Sequence, residues 1–128
     1  MDLLLDTNAL LWALAGDRRL GRARPIVADP RNAVSVSAAS AWEIAIKVGL
    51  GKLRVPPDLA TWLPAELAAL RCTPLPITLD HALAVESLPR HHADPFDRLL
   101  IAQATVEGLT IVTGDPQIER YAVQVIRC

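Results

Sequence analysis

Cysteine, lysine and aromatic residues are all scarce in this chain. The only cysteines are Cys72 and Cys128, with no paired spacing between them. That excludes a disulfide framework or a cysteine-rich zinc site and fits a reducing compartment, so a cytoplasmic protein is expected. The lysines are Lys47 and Lys52, and none follows. A surplus of either charge is also missing: 13 basic residues face 14 acidic ones, for a formal net charge of -1. A globally basic nucleic-acid binder is thereby excluded, and any contact with a polyanion must come from local patches or bound cations. No apolar run approaches the roughly 18–20 residues of a membrane span. The opening Met-Asp-Leu-Leu-Leu-Asp carries acid where a secretory signal needs positive charge. No membrane partner is expected.

What the chain does have is apolar content. Hydrophobic residues make up 52% of 128 positions, enough for a substantial core at the usual size of a single domain. One domain over 1–128 is the expectation. Residues 2–5 read as a short buried strand ending at Asp6. Thr7 or Asn8 then caps a helix closed by Gly16. An arginine-rich helical stretch covers 20–29, and Val34-Ser35-Val36 is a β-branched strand. Ser37 opens a helix to about Val48, whose stripe of Trp42, Ala45, Ile46 and Leu50 is expected to face the core. After a connector at 52–57, two short helices are expected at 58–62 and 64–70, separated by Pro64. An extended piece follows at 73–77, and a helix at 79–88. Asp94-Pro95 starts an apolar helix that Gly108 closes. Residues 109–113 form a buried strand, 115–121 a short helix and 122–126 a last strand. Alternating strands and helices, with strands apolar on both faces, predict an α/β fold with a parallel sheet. Ligand sites of such sheets lie beyond the carboxyl ends of the strands.

Four acids fall near that edge. Asp6 follows the first strand directly, and Asp115 follows the 109–113 strand by two residues. Glu43 and Asp97 lie in the early turns of their helices. Gathering them is costly: two carboxylates about 4 Å apart repel by roughly 4 kcal/mol at an effective dielectric near 20. A hard divalent ion removes that cost and can activate water toward a phosphodiester. Each acid also has a purely structural reading. Asp6 can cap the next helix. Ser40-Ala-Trp-Glu43 matches a capping box, and Glu43 faces Lys47 at i+4. Asp94 reads as an N-cap before a proline at N1, with Asp97 suiting the helix dipole. Asp115 before Pro116 can start a helix of its own. The functional reading rests on the set.

At these positions the sequence resembles a known family. Leu-Leu-Leu-Asp6-Thr7-Asn8-Ala-Leu-Leu-Trp, Ser37-Ala-Ala-Ser-Ala-Trp-Glu43-Ile-Ala-Ile-Lys47, His92-Ala-Asp94-Pro-Phe-Asp97-Arg98-Leu-Leu-Ile-Ala-Gln-Ala and Val-Thr113-Gly-Asp115 are similar to the four blocks of the PIN-domain family, in its order. The nearest subgroup is the VapC-type toxins of type II toxin–antitoxin pairs. The resemblance implies a three-layer α/β/α sandwich around a mainly parallel sheet, and Mg²⁺- or Mn²⁺-dependent endonucleolytic cleavage of RNA. It also implies a homodimer and a cognate antitoxin whose segment lies over the site. Asp6, Glu43, Asp97 and Asp115 match its acidic, metal-holding positions. Thr7, Asn8 and Thr113 match polar positions that steady the acids, and Asp94 matches a position best read as a cap. Gly114 departs from the pattern, which usually has a larger side chain there.

Other residues read more plainly. Arg18, Arg19, Arg22, Arg24 and Arg31 are expected on a solvated face, with Asp17 and Asp29 as partners. His91 and His92 are expected to serve the loop, and Trp12 and Trp42 the core. A signalling receiver domain needs a late lysine, which this chain lacks. A phosphatase of the aspartyl-phosphate kind needs two aspartates flanking one residue, where the chain has Asp6-Thr7-Asn8. A PIN module that only binds, and a structure-specific DNA nuclease, are the alternatives left open.

Overall fold

The computed structural model describes all 128 residues. Its five strands are β1 (Asp2–Leu5), β2 (Ala33–Ser37), β3 (Cys72–Leu75), β4 (Thr110–Thr113) and β5 (Val125–Arg127). The helices are α1 (Thr7–Ala15), α2 (Ala23–Ala28), α3 (Ala38–Gly49), α4 (Leu59–Ala69), α5 (Leu79–Ala84) and α6 (Pro95–Glu107). All strand pairs are parallel, in the order β3-β2-β1-β4-β5. The chain therefore builds outward from β1 to β3, then crosses back to place β4 on the other side of β1. Such a reversal of direction leaves a crevice between the two strands at their carboxyl ends.

The three leucines of β1 explain the layering. Successive side chains on a strand point to opposite faces. Leu3 and Leu5 join a cluster with Leu10, Val34, Val36, Ile44, Leu63 and Val112, under α1, α3 and α4. Leu4 points the other way, into a cluster with Ile111, Leu100, Ile101 and Ala104 of α6, and Ile118. Both faces of the sheet are covered, which gives the α/β/α sandwich. No helix is long and apolar enough to cross a membrane.

Local sequence places most boundaries. Gly16 and Gly108 adopt left-handed φ values of 62° and 68° and close α1 and α6. Ser37 caps α3 by accepting the Ala39 N–H. Ser40 is therefore inside α3, and its pairing with Glu43 as a capping box does not form. The cap of α1 is Asp6, the structural role the sequence also offered it, and not Thr7 or Asn8. The helix expected over 20–29 shortens to α2, and a 3-10 turn at Arg18–Leu20 precedes it. Pro64 interrupts nothing: α4 runs through it as one helix. The 115–121 helix shrinks to a 3-10 turn at Ile118–Arg120.

The expected stripe of α3 is corrected as well. Trp42 is 58% exposed and Leu50 64%, and Ala45 and Ile46 also face solvent. The helix buries Ala39, Ser40 and Ile44 instead. Periodicity says that a helix has an apolar face and leaves open which face turns inward. Here small Ala39 and Ser40 allow close approach, and the Thr7 hydroxyl donates to Ser40 Oγ at 3.0 Å, which satisfies the polar atom.

One buried polar network ties the layers together. Gln103 of α6 accepts from the Ser37 hydroxyl, and its amide nitrogen lies 3.3 Å from both the Pro76 carbonyl and His81 Nδ1. His81 in turn accepts from the Thr78 N–H at 3.0 Å and places Nε2 2.9 Å from Glu107. Replacing Gln103 with Leu strips partners from buried groups, each orphan costing about 1–3 kcal/mol. The expected loss for Gln103→Leu is about 2–4 kcal/mol in urea unfolding at unchanged slope. A change below about 0.5 kcal/mol would mean that these bonds do not hold α6 to the sheet.

Candidate active site

Asp6, Asp97 and Asp115 gather at the crevice between β1 and β4, with Glu43 near enough to act on Asp6 and Asp97 through its charge. Asp6 leaves β1 and is itself bonded to β4, its N–H donating to the Val112 carbonyl at 3.0 Å. Its carboxylate is buried and held at both oxygens. Oδ1 accepts the Ala9 N–H at 2.7 Å, and Oδ2 accepts the Thr113 hydroxyl. Thr113 Oγ1 also accepts the Asp115 N–H at 2.9 Å. A single hydroxyl thus links the acid after β1 to the acid after β4.

Asp97 enters from α6. Asp94 caps that helix, accepting the Phe96 and Asp97 N–H groups at 2.8 and 3.3 Å, and Pro95 occupies its first position. That cap directs the first turn, with Asp97, into the crevice. Oδ2 of Asp97 and Oδ2 of Asp115 both contact His92 Nε2, at 3.1 and 2.8 Å. His92, Asp97 and Asp115 offer three ligand-type atoms within 4.8 Å of one another. Asp115 Oδ1 meanwhile accepts the Gln117 N–H at 2.9 Å. Glu43 comes from α3, its carboxylate 2.8 Å from Lys47 Nζ.

The charges feel one another. Burial raises the Asp6 pKa above the usual range for a carboxyl, and its Thr113 and Ala9 hydrogen bonds oppose the shift. The negative charges of Asp115 and Glu43 raise it further. Asp97 is pushed up to about 7, first by burial, then by the charges of Asp94 and Asp6, with Glu43 adding to these and His92 opposing them. Buried, mutually repelling carboxyls in a cleft are a signature of functional sites. Their donor set is oxygen-rich, as a hard divalent ion prefers. The residues present fit such an ion.

The supporting positions divide. Thr113 contacts Asp6 directly, and Asp94 is a cap. The hydroxyl of Thr7 bonds Ser40 instead of an acid, tying α1 to α3 beneath the site. Asn8 is exposed and lines a groove of about 570 Å³ together with Trp12, Arg19, Arg54, Trp62 and Glu66. Gly114 is explained by packing. A Cβ there would lie 3.1 Å from the Trp12 ring, which occupies the space a larger residue would take.

Sequence reasoning undervalued His92. Its signals were its place two residues before the Asp94 cap and at the start of the block that holds Asp97. Arg19 and Arg31 pair with Asp17 and Asp29 as expected, at 2.7 and 2.8 Å.

Three comparisons bear on this geometry. The PIN domain family profile matches residues 3–124. The chain is 46% identical over 69 residues to "Ribonuclease VapC16" of Mycobacterium tuberculosis. That match covers 54% of this chain and 47% of the relative, so the chain aligns with about half the length of that protein. Among solved structures, VapBC2 from Rickettsia felis bound to a promoter DNA fragment superposes with a TM-score of 0.73 at 17% identity, covering 99% of this chain and 98% of the other. DNA-bound VapBC from Salmonella typhimurium gives 0.70 at 17% identity, over 99% and 98%. These two likenesses speak for the fold. With a profile match across nearly its full length and the sheet order described above, the chain belongs to the PIN domain family.

Proposed function

We propose that this protein is a Mg²⁺- or Mn²⁺-dependent endoribonuclease, the toxin of a type II toxin–antitoxin pair, acting in the cytoplasm. The observation that carries the reading is the convergence of Asp6, Glu43, Asp97 and Asp115 on the crevice between β1 and β4, with Asp97 pushed up to about 7. The 46% identity to a protein named as a ribonuclease supports the same reading.

In this proposal Asp6, Asp97, Asp115 and Glu43 hold the cation. When bound, a hard divalent ion lowers the pKa of water for attack on a phosphodiester and offsets the charge growing on the phosphate. The chain's own residues prepare for it. Thr113 and the Ala9 N–H hold Asp6 in one orientation. The Asp94 cap fixes the first turn of α6, and Lys47 restrains Glu43. Partner chemistry follows from the surface. The groove beginning at Asn8 mixes tryptophans with charges of both signs, which suits a polypeptide such as the cognate antitoxin. Exposed Trp42, Ile46 and Leu50, and exposed Leu79, Leu83 and Val106, give apolar area for a second copy in a homodimer.

The test is cleavage of labelled RNA with Mg²⁺ or Mn²⁺, beside a DNA strand of the same sequence. Asp6→Asn and Asp97→Asn are each expected to lower RNA cleavage at least about a hundredfold with circular dichroism unchanged. Undiminished cleavage in chelator, or preference for the DNA strand, would end the ribonuclease reading.

A second expectation concerns stability. The raised pKa means that folded Asp97 keeps its proton where the unfolded chain has lost it. Between pH 4 and about 7 the native state binds more protons, so stability falls as pH rises. Discounted for partial exposure, the effect is about 1–2 kcal/mol. In chelator, Asp97→Asn is therefore expected to be more stable than wild type by that amount at pH 8, with the gap closing toward pH 4. Mg²⁺ at pH 8 is expected to raise the melting temperature of wild type and leave that of the variant nearly unchanged. A gap independent of pH would contradict the electrostatic account.

A further inference from the structure

We propose that His92 is a positioning residue of this site, whose Nε2–H donates to Asp115 while standing against Asp97, and which keeps their carboxylates facing one another from outside the cation's coordination. The inference rests on the nuclease reading above and adds a residue to it. The geometry has two parts. Nε2 lies 2.8 Å from Asp115 Oδ2 and 3.1 Å from Asp97 Oδ2. The other ring nitrogen, Nδ1, accepts the Asp94 N–H at 3.2 Å.

The second contact fixes the tautomer. A neutral imidazole carries one N–H and one acceptor nitrogen. With the acceptor facing a backbone donor, the proton sits on Nε2. That nitrogen then has no lone pair for a metal. His92, Asp97 and Asp115 resemble a three-ligand set by distance alone, but ligation through Nε2 would put a proton on Nδ1, donor against donor at Asp94. A neutral donor does a different task. It bonds Asp115 and stands against Asp97, so two mutually repelling carboxylates are set on either side of one ring nitrogen.

The ring is held for that task. Tyr121 is buried, and its hydroxyl oxygen accepts the His92 and His91 N–H groups at 2.9 and 3.1 Å. Arg98 donates to the same oxygen at 3.2 Å and to the Pro89 carbonyl at 2.8 Å. The His91 ring packs edge-on against Tyr121, centroids 5.2 Å apart. The loop before α6 is thus fixed by α6 itself and by the segment between β4 and β5. The His92 side chain is 15% exposed, so its bonds are partly shielded from water.

Outer partners that orient metal ligands typically contribute 10- to 100-fold to metal affinity or activity. The experiment measures Mn²⁺ binding by electron paramagnetic resonance for wild type, His92→Ala and His92→Gln, with folding checked by circular dichroism. His92→Ala is expected to bind about 10- to 100-fold more weakly, and His92→Gln, whose amide reaches the Nε2 position, within about threefold of wild type. ¹⁵N spectra of wild type should show the proton on Nε2, before and after Mg²⁺ is added. Equal Mn²⁺ affinity in folded His92→Ala overturns the proposal. So does a proton on Nδ1, or an Nε2 resonance that becomes that of a ligated nitrogen with Mg²⁺. If His92→Ala does not fold, the wild-type spectra decide alone. RNA cleavage is read separately: a wild type inert toward RNA defeats the ribonuclease reading, while the Mn²⁺ comparison still judges His92.

Discussion

The structure turns on the cost of putting negative oxygens close together in a poorly solvated crevice. Asp6 is the centre of that cost. It is buried at the end of β1, where Leu3, Leu4 and Leu5 are fully covered. A carboxylate there would be expelled or protonated without donors. It has two, the Ala9 amide and the Thr113 hydroxyl, and each comes from an element that the sheet fixes. The Ala9 donor exists because Asp6 caps α1. The Thr113 donor exists because β4 lies beside β1 in register, with Leu5 opposite Val112. Changing either neighbour would change the state of the acid.

The rest of the fold reads as support for that arrangement. The chain reverses direction between β1 and β4, and only there do two strand ends present acids to the same opening. The first turn of α6 adds Asp97, and its apolar face locks the helix onto Leu4 and Ile111. α3 adds Glu43 from the opposite layer, with Lys47 one turn on. Three layers thus each contribute one or more acids to a crevice none of them could form alone. That is why packing defects in α6 or α3 should reach the chemistry without touching it.

How much of this was legible before the structure depends on the kind of signal. Strand positions were clear, because runs such as Leu3-Leu4-Leu5 have no other economical place than a sheet covered on both faces. The Asp94-Pro95 start of α6 and its Gly108 stop were equally clear, since both use backbone rules local to a few residues. The inward face of α3 was not. Trp42, Ile46 and Leu50 carry more hydrophobicity than Ala39 and Ser40, yet close packing favours small residues, and a buried serine is tolerated once Thr7 reaches it. Pro64 misled because proline's missing N–H was weighed without the tertiary contacts of Leu63 and Leu67 that keep α4 whole. The acids were found as a set by their place after strands and in first turns. His92 was missed because its role depends on two bonds of one ring, to residues 5 and 23 positions away, which no spacing rule encodes.

What holds Asp6, Asp97 and Asp115 also explains why no arginine or lysine pairs with them. The chain has arginines enough, and one of them, Arg98, adjoins Asp97 in sequence. Its guanidinium turns instead to the Pro89, Val85 and Tyr121 oxygens. Arg19 and Arg31 are taken up by Asp17 and Asp29. The groups facing Asp6, Asp97 and Asp115 are amides, a hydroxyl and an imidazole N–H, and only Glu43 has a lysine. Hydrogen-bond donors orient a carboxylate and leave most of its charge exposed to the crevice, whereas a guanidinium at that place would neutralise it permanently. Around these three aspartates, with neither arginine nor lysine bonded to them, the crevice keeps a net negative field. Such a field can be relieved by protons, as the elevated Asp97 shows, or by an exchangeable divalent ion, and at neutral pH the proton is only weakly held. The choice of donors therefore sets how negative the crevice is as firmly as the acids themselves.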